Sequence, residues 1–247
     1  MKQNLYINWT FKLFSLVFFL YLFNACQVEQ VELAQLDQSE NLEIKDYSPV
    51  YLYFRTIEID TLVEVNEKDT ISSTYWVFHV DKRFLLKQVV DEINKLQNIK
   101  EKTRNQPEAS KTFYCFMNSK IKGLSYLDFT PIKYSYPNYF STKYIKENPD
   151  YHSHFDNFTI DFKSNNQITI NGFDMPILEM ESYIKESLVL SNSTKKAIVY
   201  LNFNNNLSFE NYLFFWQKIK RFDANLIELS PVHFVYDSEE IADCGCR

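Results

Sequence analysis

Residues 158–236 read FTIDFKSNNQITINGFDMPILEMESYIKESLVLSNSTKKAIVYLNFNNNLSFENYLFFWQKIKRFDANLIELSPVHFVY, and the succession of apolar periods within them decides the fold class. Phe158, Ile160 and Phe162 alternate with Thr159, Asp161 and Lys163, the period-2 signature of a half-buried strand, and Ile168 and Ile170 continue it beyond the polar turn 164–167. Asn171-Gly172 tolerates positive φ at both centres of a type I′ turn and predicts a second tight hairpin. Asp174 is placed to cap a helix with Pro176 in its first turn, and Ile177, Met180, Ile184 and Leu188 then share one helical face. The run Ala197–Leu201 predicts a strand buried on both sides. Ser208 is a good N-cap for a second helix striped by Tyr212, Leu213, Trp216 and Ile219, and Asn225–Leu229 and Val232–Tyr236 read as closing strands around Pro231. Two helices following strands in this order belong on one face of a small sheet, an α+β arrangement.

The I-x-I-N-G hairpin at 168–172, the helix beginning M-P-I-L at 175–178 with Tyr183-Ile184, the central apolar strand and the last helix–strand resemble the periplasmic domain of the ExbD/TolR family. That resemblance implies a component of inner-membrane motors that use the proton gradient to energise transport across the outer membrane. It extends over about a third of the chain, residues 158–236. Members carry an N-terminal membrane helix with an aspartate in the proton path. The apolar segment Leu13–Phe23 contains no acidic residue, so the fold and the envelope setting carry over and the proton chemistry does not.

The N-terminus sets the compartment. Lys2 and Lys12 precede the 11-residue apolar run Leu13–Phe23, too short for a spanning helix of roughly 20 residues but suited to a signal-peptide core. Asn24-Ala25-Cys26 follows, and a cysteine directly after a small residue resembles a bacterial lipoprotein signal, with residues 1–25 removed and Cys26 lipidated. A membrane anchor over Tyr6–Phe23 is the competing reading. Gln27–Ser48 carries six acidic residues against Lys45, so residues 26–48 read as an acidic tether between lipid and domain.

The chain of 247 residues has room for one large domain or two small ones, and its 45% hydrophobic content predicts a packed core. Three scattered glycines exclude a glycine-rich phosphate loop, and a formal charge of −6 argues against nucleic acid as a partner. Residues 49–130 form an N-terminal α+β module: a strand pair in Pro49–Val65, a polar turn or exit at Asn66–Asp69, a strand at Thr74–Val80, then Asp81 placed as N-cap. Leu86, Val89, Val90, Ile93 and Leu96 follow at helical spacing, and Lys111–Met117 returns as a strand. Both halves therefore contain strand–helix–strand. A degenerate duplication and a single continuous sheet are the two pictures. Residues 131–157 read as a tyrosine-rich connecting loop, 158–236 as the ExbD/TolR-like module and 237–247 as a tail.

Candidate chemistry is thin. His152 and His154 with Asp150 and Asp156 have ligand types for a transition metal, at generic spacing, and are the basis of an alternative reading as a metal-dependent hydrolase. Tyr134, Tyr136, Tyr139, Tyr144 and Tyr151 would either stack on sugar in a cell-wall-binding lipoprotein or cover the core. His79 and His233 lie in apolar strands, Cys115 reads as a buried hydrophobe, and Cys244-Gly245-Cys246 is too short a ligand set for zinc. No catalytic residue, cofactor or metal is assigned. The expectation is a non-enzymatic envelope protein, lipid-anchored through Cys26 and facing the periplasm. It would bind an envelope partner, or itself, through a sheet edge, with the strands in Asn225–Tyr236 as first candidates.

Overall fold

Alternation passes directly into strands. The computed structural model describes residues 31–37, 44–45, 47–57, 60–65, 75–102, 111–137, 139–163 and 167–238. The first sheet contains β1 (Gln35–Leu36), β2 (Tyr47–Ile57), β3 (Asp60–Val65), β4 (Tyr75–Val80), β5 (Lys111–Asn118) and β6 (Gly123–Asp128), with helix α1 (Leu86–Lys102) between β4 and β5. β2, β4 and β5 run parallel, β3 forms a hairpin with β2, and β6 pairs antiparallel with β5.

The second sheet contains β7 (Lys133–Ser135), β8 (Asp156–Phe162), β9 (Ile168–Ile170), β10 (Phe173–Asp174), β11 (Ala197–Asn204) and β12 (Ile227–Tyr236). Short helices α2 (Ser141–Glu147) and α3 (Pro149–His152) precede β8, α4 (Met180–Leu190) precedes β11, and α5 (Phe209–Ile219) joins β11 to β12. The order is β10-β9-β8-β11-β12-β7. The molecule is thus α+β, with two mixed sheets rather than one continuous sheet. The order β3-β2-β4-β5 in the first is matched by β9-β8-β11-β12 in the second, with the same strand directions.

Helix stripes close the core as their spacing predicts. Leu86, Val89, Val90, Ile93 and Leu96 of α1 and Phe209, Tyr212, Leu213, Trp216 and Ile219 of α5 are buried in one apolar cluster shared by both sheets. Every residue of β11 is buried. Val199, Leu201 and Phe203 face the cluster holding α4 and α5, whereas Ile198 and Tyr200 face one that includes Tyr144 and Ile145 of α2.

The two helix starts cap each other. Leu86 N–H donates to Leu207 O (2.9 Å) and Phe209 N–H to Phe84 O (2.7 Å); Lys87 N–H donates to Asn205 O (3.0 Å) and Glu210 N–H to Lys82 O (3.2 Å). Each donor and acceptor sits at the same sequence offset from its counterpart, so the exchange is reciprocal about the bridge Leu85–Ser208. Amides that open a helix need partners, and here each module supplies the other's. This is why Asp81, expected as an N-cap, is used elsewhere. Its buried carboxylate accepts from Arg83 Nε (2.8 Å), Arg83 Nη2 (2.7 Å) and the amides of Arg83 and Glu32. Burial alone would raise its pKa; the paired guanidinium and those amides outweigh it and hold the carboxyl below its usual value.

Three further expectations are corrected. The acidic segment 26–48 is not tether throughout: Ala34 and Leu36 are buried, β1 lies along β5, and Gln217 Nε2 of α5 donates to Asp37 O (3.2 Å). Ala34 and Leu36, two residues apart, face the core from this segment. The connecting loop 131–157 holds β7, α2 and α3, and the flanking strands begin earlier than expected, at Tyr47 and Asp156. Asn225–Leu229 and Val232–Tyr236 join in a single strand, β12, whose pairing shifts register opposite Val199–Leu201. The turn expected at Asn66–Asp69 lies outside the described residues.

Candidate binding groove

The hairpin of β9 and β10 builds one wall of a groove. Its turn residues Asn171 (φ 48°) and Gly172 (φ 87°) both adopt positive φ, as the type I′ reading requires. Asn171 also binds β8: its Oδ1 accepts from Thr159 N–H (2.9 Å) and its own N–H donates to Thr159 O (2.9 Å). Met175 N–H donates to Ile168 O (3.1 Å), and Pro176 (φ −66°, ψ 144°) keeps the chain extended. A 3-10 turn at Ile177–Glu179 then leads into α4, so Pro176 stands before the helix rather than in its first turn. Asp174, expected as its cap, lies in β10 and pairs with Lys163 at 3.3 Å on the surface. The buried side chains Met180 and Ile184 anchor α4 beneath.

The opposite wall is α5. Phe215 stacks on Phe162 at 4.7 Å, which stacks in turn on Phe203 at 4.7 Å, and this column fixes the helix over the sheet. Between the walls lies a cavity of about 590 Å³ lined by Ile168, Met175, Pro176, Ile177, Phe214 and Phe215, with Gln167, Asp174 and Asn211 as its polar rim. Phe173 is 65% exposed and Leu178 80% exposed on the segment that forms the first wall. Large apolar side chains left in water beside a concave apolar surface are the ordinary mark of a binding face.

The other candidates separate. His152 is buried, with Nδ1 hydrogen-bonded to the Tyr200 hydroxyl, and burial lowers its pKa. His154 and Asp150 are exposed. Among the described residues no group of three or more His, Cys, Asp or Glu side chains converges as a metal site would need, so the Asp150–Asp156 constellation is not assembled. Most of the tyrosines pack over the core. Tyr134 is buried, Tyr136 packs on the main core, Tyr139 stacks on Phe234 and Tyr144 packs edge-on to Tyr200; Tyr151 alone of the five is exposed. Cys115 is buried, which pushes its thiol up to about 12. Cys26, Cys244 and Cys246 lie outside the described residues.

The expected edge is also corrected. β12 is not the last strand of its sheet: β11 pairs along one side, and on the other β7 covers Val232–Phe234, three of its ten residues. Ile227 is 2% exposed, so its side chain belongs to the core.

A buried polar chain crosses between the modules, and nothing in the apolar patterning announced it. The Tyr114 hydroxyl of β5 meets the Tyr134 hydroxyl of β7; Tyr134 meets Tyr212 of α5 at 2.7 Å, and Tyr212 meets His233 Nδ1 of β12 at 3.0 Å. Burial raises all three tyrosine pKa values well above normal and lowers that of His233 to about 3, so all four groups are neutral near pH 7. Tyrosine reads as apolar in a period count, and its hydroxyl is legible only once the strands are paired.

Among the described residues no helix is long and apolar enough to cross a membrane. Comparison with known proteins finds no matching family model, no matching curated protein and no matching solved structure.

Proposed function

We propose that the chain is a non-enzymatic binding or assembly component of the bacterial cell envelope, lipid-anchored through Cys26 and facing the periplasm. Its second module, ExbD/TolR-like by resemblance, accepts an extended apolar segment of another envelope protein in the groove between β10 and α5. A link to energised outer-membrane transport follows from that resemblance. The groove carries the reading: its lining is apolar, and Phe173 and Leu178 stand exposed on the wall-forming segment. Fully covering one large apolar side chain is worth about 1.5–3 kcal/mol, so an apolar segment gains from a few such contacts what a polar ligand does not.

A photoreactive residue at Leu178 of the full chain in its native envelope tests the groove. The expected result is a discrete protein adduct that disappears when Phe214→Asp places a charge in the wall. No adduct, or one indifferent to Phe214→Asp, overturns the reading. The anchor is tested separately: Cys26→Ala should release the chain from the membrane fraction, and retention there would refute lipidation as its tether.

A further inference from the structure

Five strands end the two sheets, the two-residue β1 among them, and four of the five are guarded. An exposed strand edge is a template for another chain, and proteins blunt it with shortness, charge or proline. β10 has two residues; β7 has three, with Lys133 in it and Pro131 and Pro137 on either side. β3 carries Asp60 and Glu64. β6 differs from all of them: Gly123-Leu124-Ser125-Tyr126-Leu127 holds neither charge nor proline before Asp128, and among the described residues no strand pairs with its outer side.

The phase of β6 is fixed by the bond from Phe129 N–H to Thr112 O (3.1 Å) and the register Phe113–Asp128. Alternate residues Leu127 and Ser125 therefore bond back to β5, and Leu124 and Tyr126 direct their N–H and C=O groups outward. Leu124 is 41% exposed, and Ile121 in the preceding turn 47%.

We infer that the outer edge of β6 is a self-association site, at which two copies of this chain pair their β6 strands antiparallel about a twofold through Ser125. In that register Leu124 of each copy faces Tyr126 of the other, and the two exchange N–H···O=C bonds in both directions. The even-numbered side chains stay on one face of the joined sheet, as the two-residue period demands. Charge favours a second copy over an unrelated strand: Lys122, in the turn that leads into β6, and Asp128, at its far end, lie at opposite ends of the strand, so antiparallel pairing brings opposite charges of the two copies to the same ends. Asp128 is fixed at the strand end, where its Oδ1 accepts from Thr130 N–H (2.8 Å) and its carbonyl accepts from Lys220 Nζ (3.0 Å).

Two differently tagged full-length copies expressed together in the envelope test it by mutual capture. Wild-type copies should capture each other. Leu124→Pro, which removes an outward N–H that β5 does not use, and Leu124→Lys, which adds the missing charge, should each reduce capture at least tenfold while the circular dichroism spectrum is retained. Lys122→Glu should reduce capture, and Asp128→Lys added to it should restore capture. Absence of capture between wild-type copies, capture undiminished in both Leu124 variants, or failure of the charge swap to restore it overturns the pairing. The site is separate from the groove, so Phe214→Asp should leave capture unchanged; a loss there would place self-association in the groove and overturn the β6 assignment.

Discussion

Residues 47–128 and 156–236 build the same strand order around a helix that starts on the other module's carbonyls, yet the two halves are finished differently. In the second, residues 171–196 connect the hairpin to β11 through β10, the 3-10 turn and α4, and so create the groove. In the first, only the nine residues 66–74 separate β3 from β4 in sequence. The outer faces differ as well. Behind β11 lie Tyr144 and Ile145 of α2, whereas Val77, Phe113 and Cys115 of the first sheet are backed by Leu33 and Ile44 of the acidic segment. A shared scaffold sets the seam, and what is added to each half shapes its surface. The groove belongs to the addition, and the unguarded β6 edge belongs to the half that lacks it.

If the seam makes the halves one cooperative unit, equivalent core positions should fail together. Phe209 of α5 and Leu86 of α1 occupy matching places, both 1% exposed, and Phe209 meets Tyr114 of the other module edge-on at 5.1 Å. Phe209→Ala should cost about 3–5 kcal/mol and Leu86→Ala about 2–5 kcal/mol, each with a single denaturation transition by every probe. Two transitions, one per module, would break the equivalence.

The polar chain sharpens the same point, because its members come from both halves. Tyr212→Phe leaves the Tyr134 hydroxyl and His233 Nδ1 without their shared partner inside the core, at a cost of about 1–3 kcal/mol in equilibrium unfolding. A neutral outcome would mean that water fills the gap.

How much of this was legible in the sequence depends on whether the signal is local. The helix stripes, the Asn171-Gly172 turn and the double burial of β11 follow from spacing alone, and the structure has them where spacing puts them. Strand order is a nonlocal property. Residues 133–135 give no sign that they will pair beside β12, so the sequence alone points to Asn225–Tyr236 as an open edge. The segment at 31–37 reads as tether by its charge, while Ala34 and Leu36, two residues apart, are buried in the core. The groove is hidden for a related reason: Phe214 and Phe215 are adjacent in sequence, and only the position of β10 makes them a wall.

Acid should weaken the second module more directly than a surface count suggests. His233 is fully buried and neutral, its pKa lowered by desolvation from 6.5 to about 3. The unfolded chain therefore takes up the proton first; stability is complete above pH 6.5 and is lost progressively as pH falls toward 3. At pH 5 this one group should cost about 2 kcal/mol, visible as a lower denaturant midpoint that His233→Phe flattens with pH. His79, pushed down to about 4 by burial in the first sheet, adds in the same direction.

The smallest effect tests the comparison at a single equivalent pair. Ser208 caps α5 by accepting from Asn211 N–H at 3.2 Å, whereas Leu85, its counterpart before α1, has no side-chain oxygen to offer. There the arrangement is reversed: Gln88 Oε1 reaches back to accept from Leu85 N–H at 2.8 Å, and the foremost helix amides of both modules are met by carbonyls across the seam. Ser208→Ala should therefore cost only about 1 kcal/mol, the usual value of a side-chain cap, because the backbone exchange that satisfies Phe209 and Glu210 is untouched. Gln88→Ala should cost about the same. Were either substitution to cost several times more, the helix starts would depend on their own side chains, and the reciprocal seam would not be what holds the two halves together.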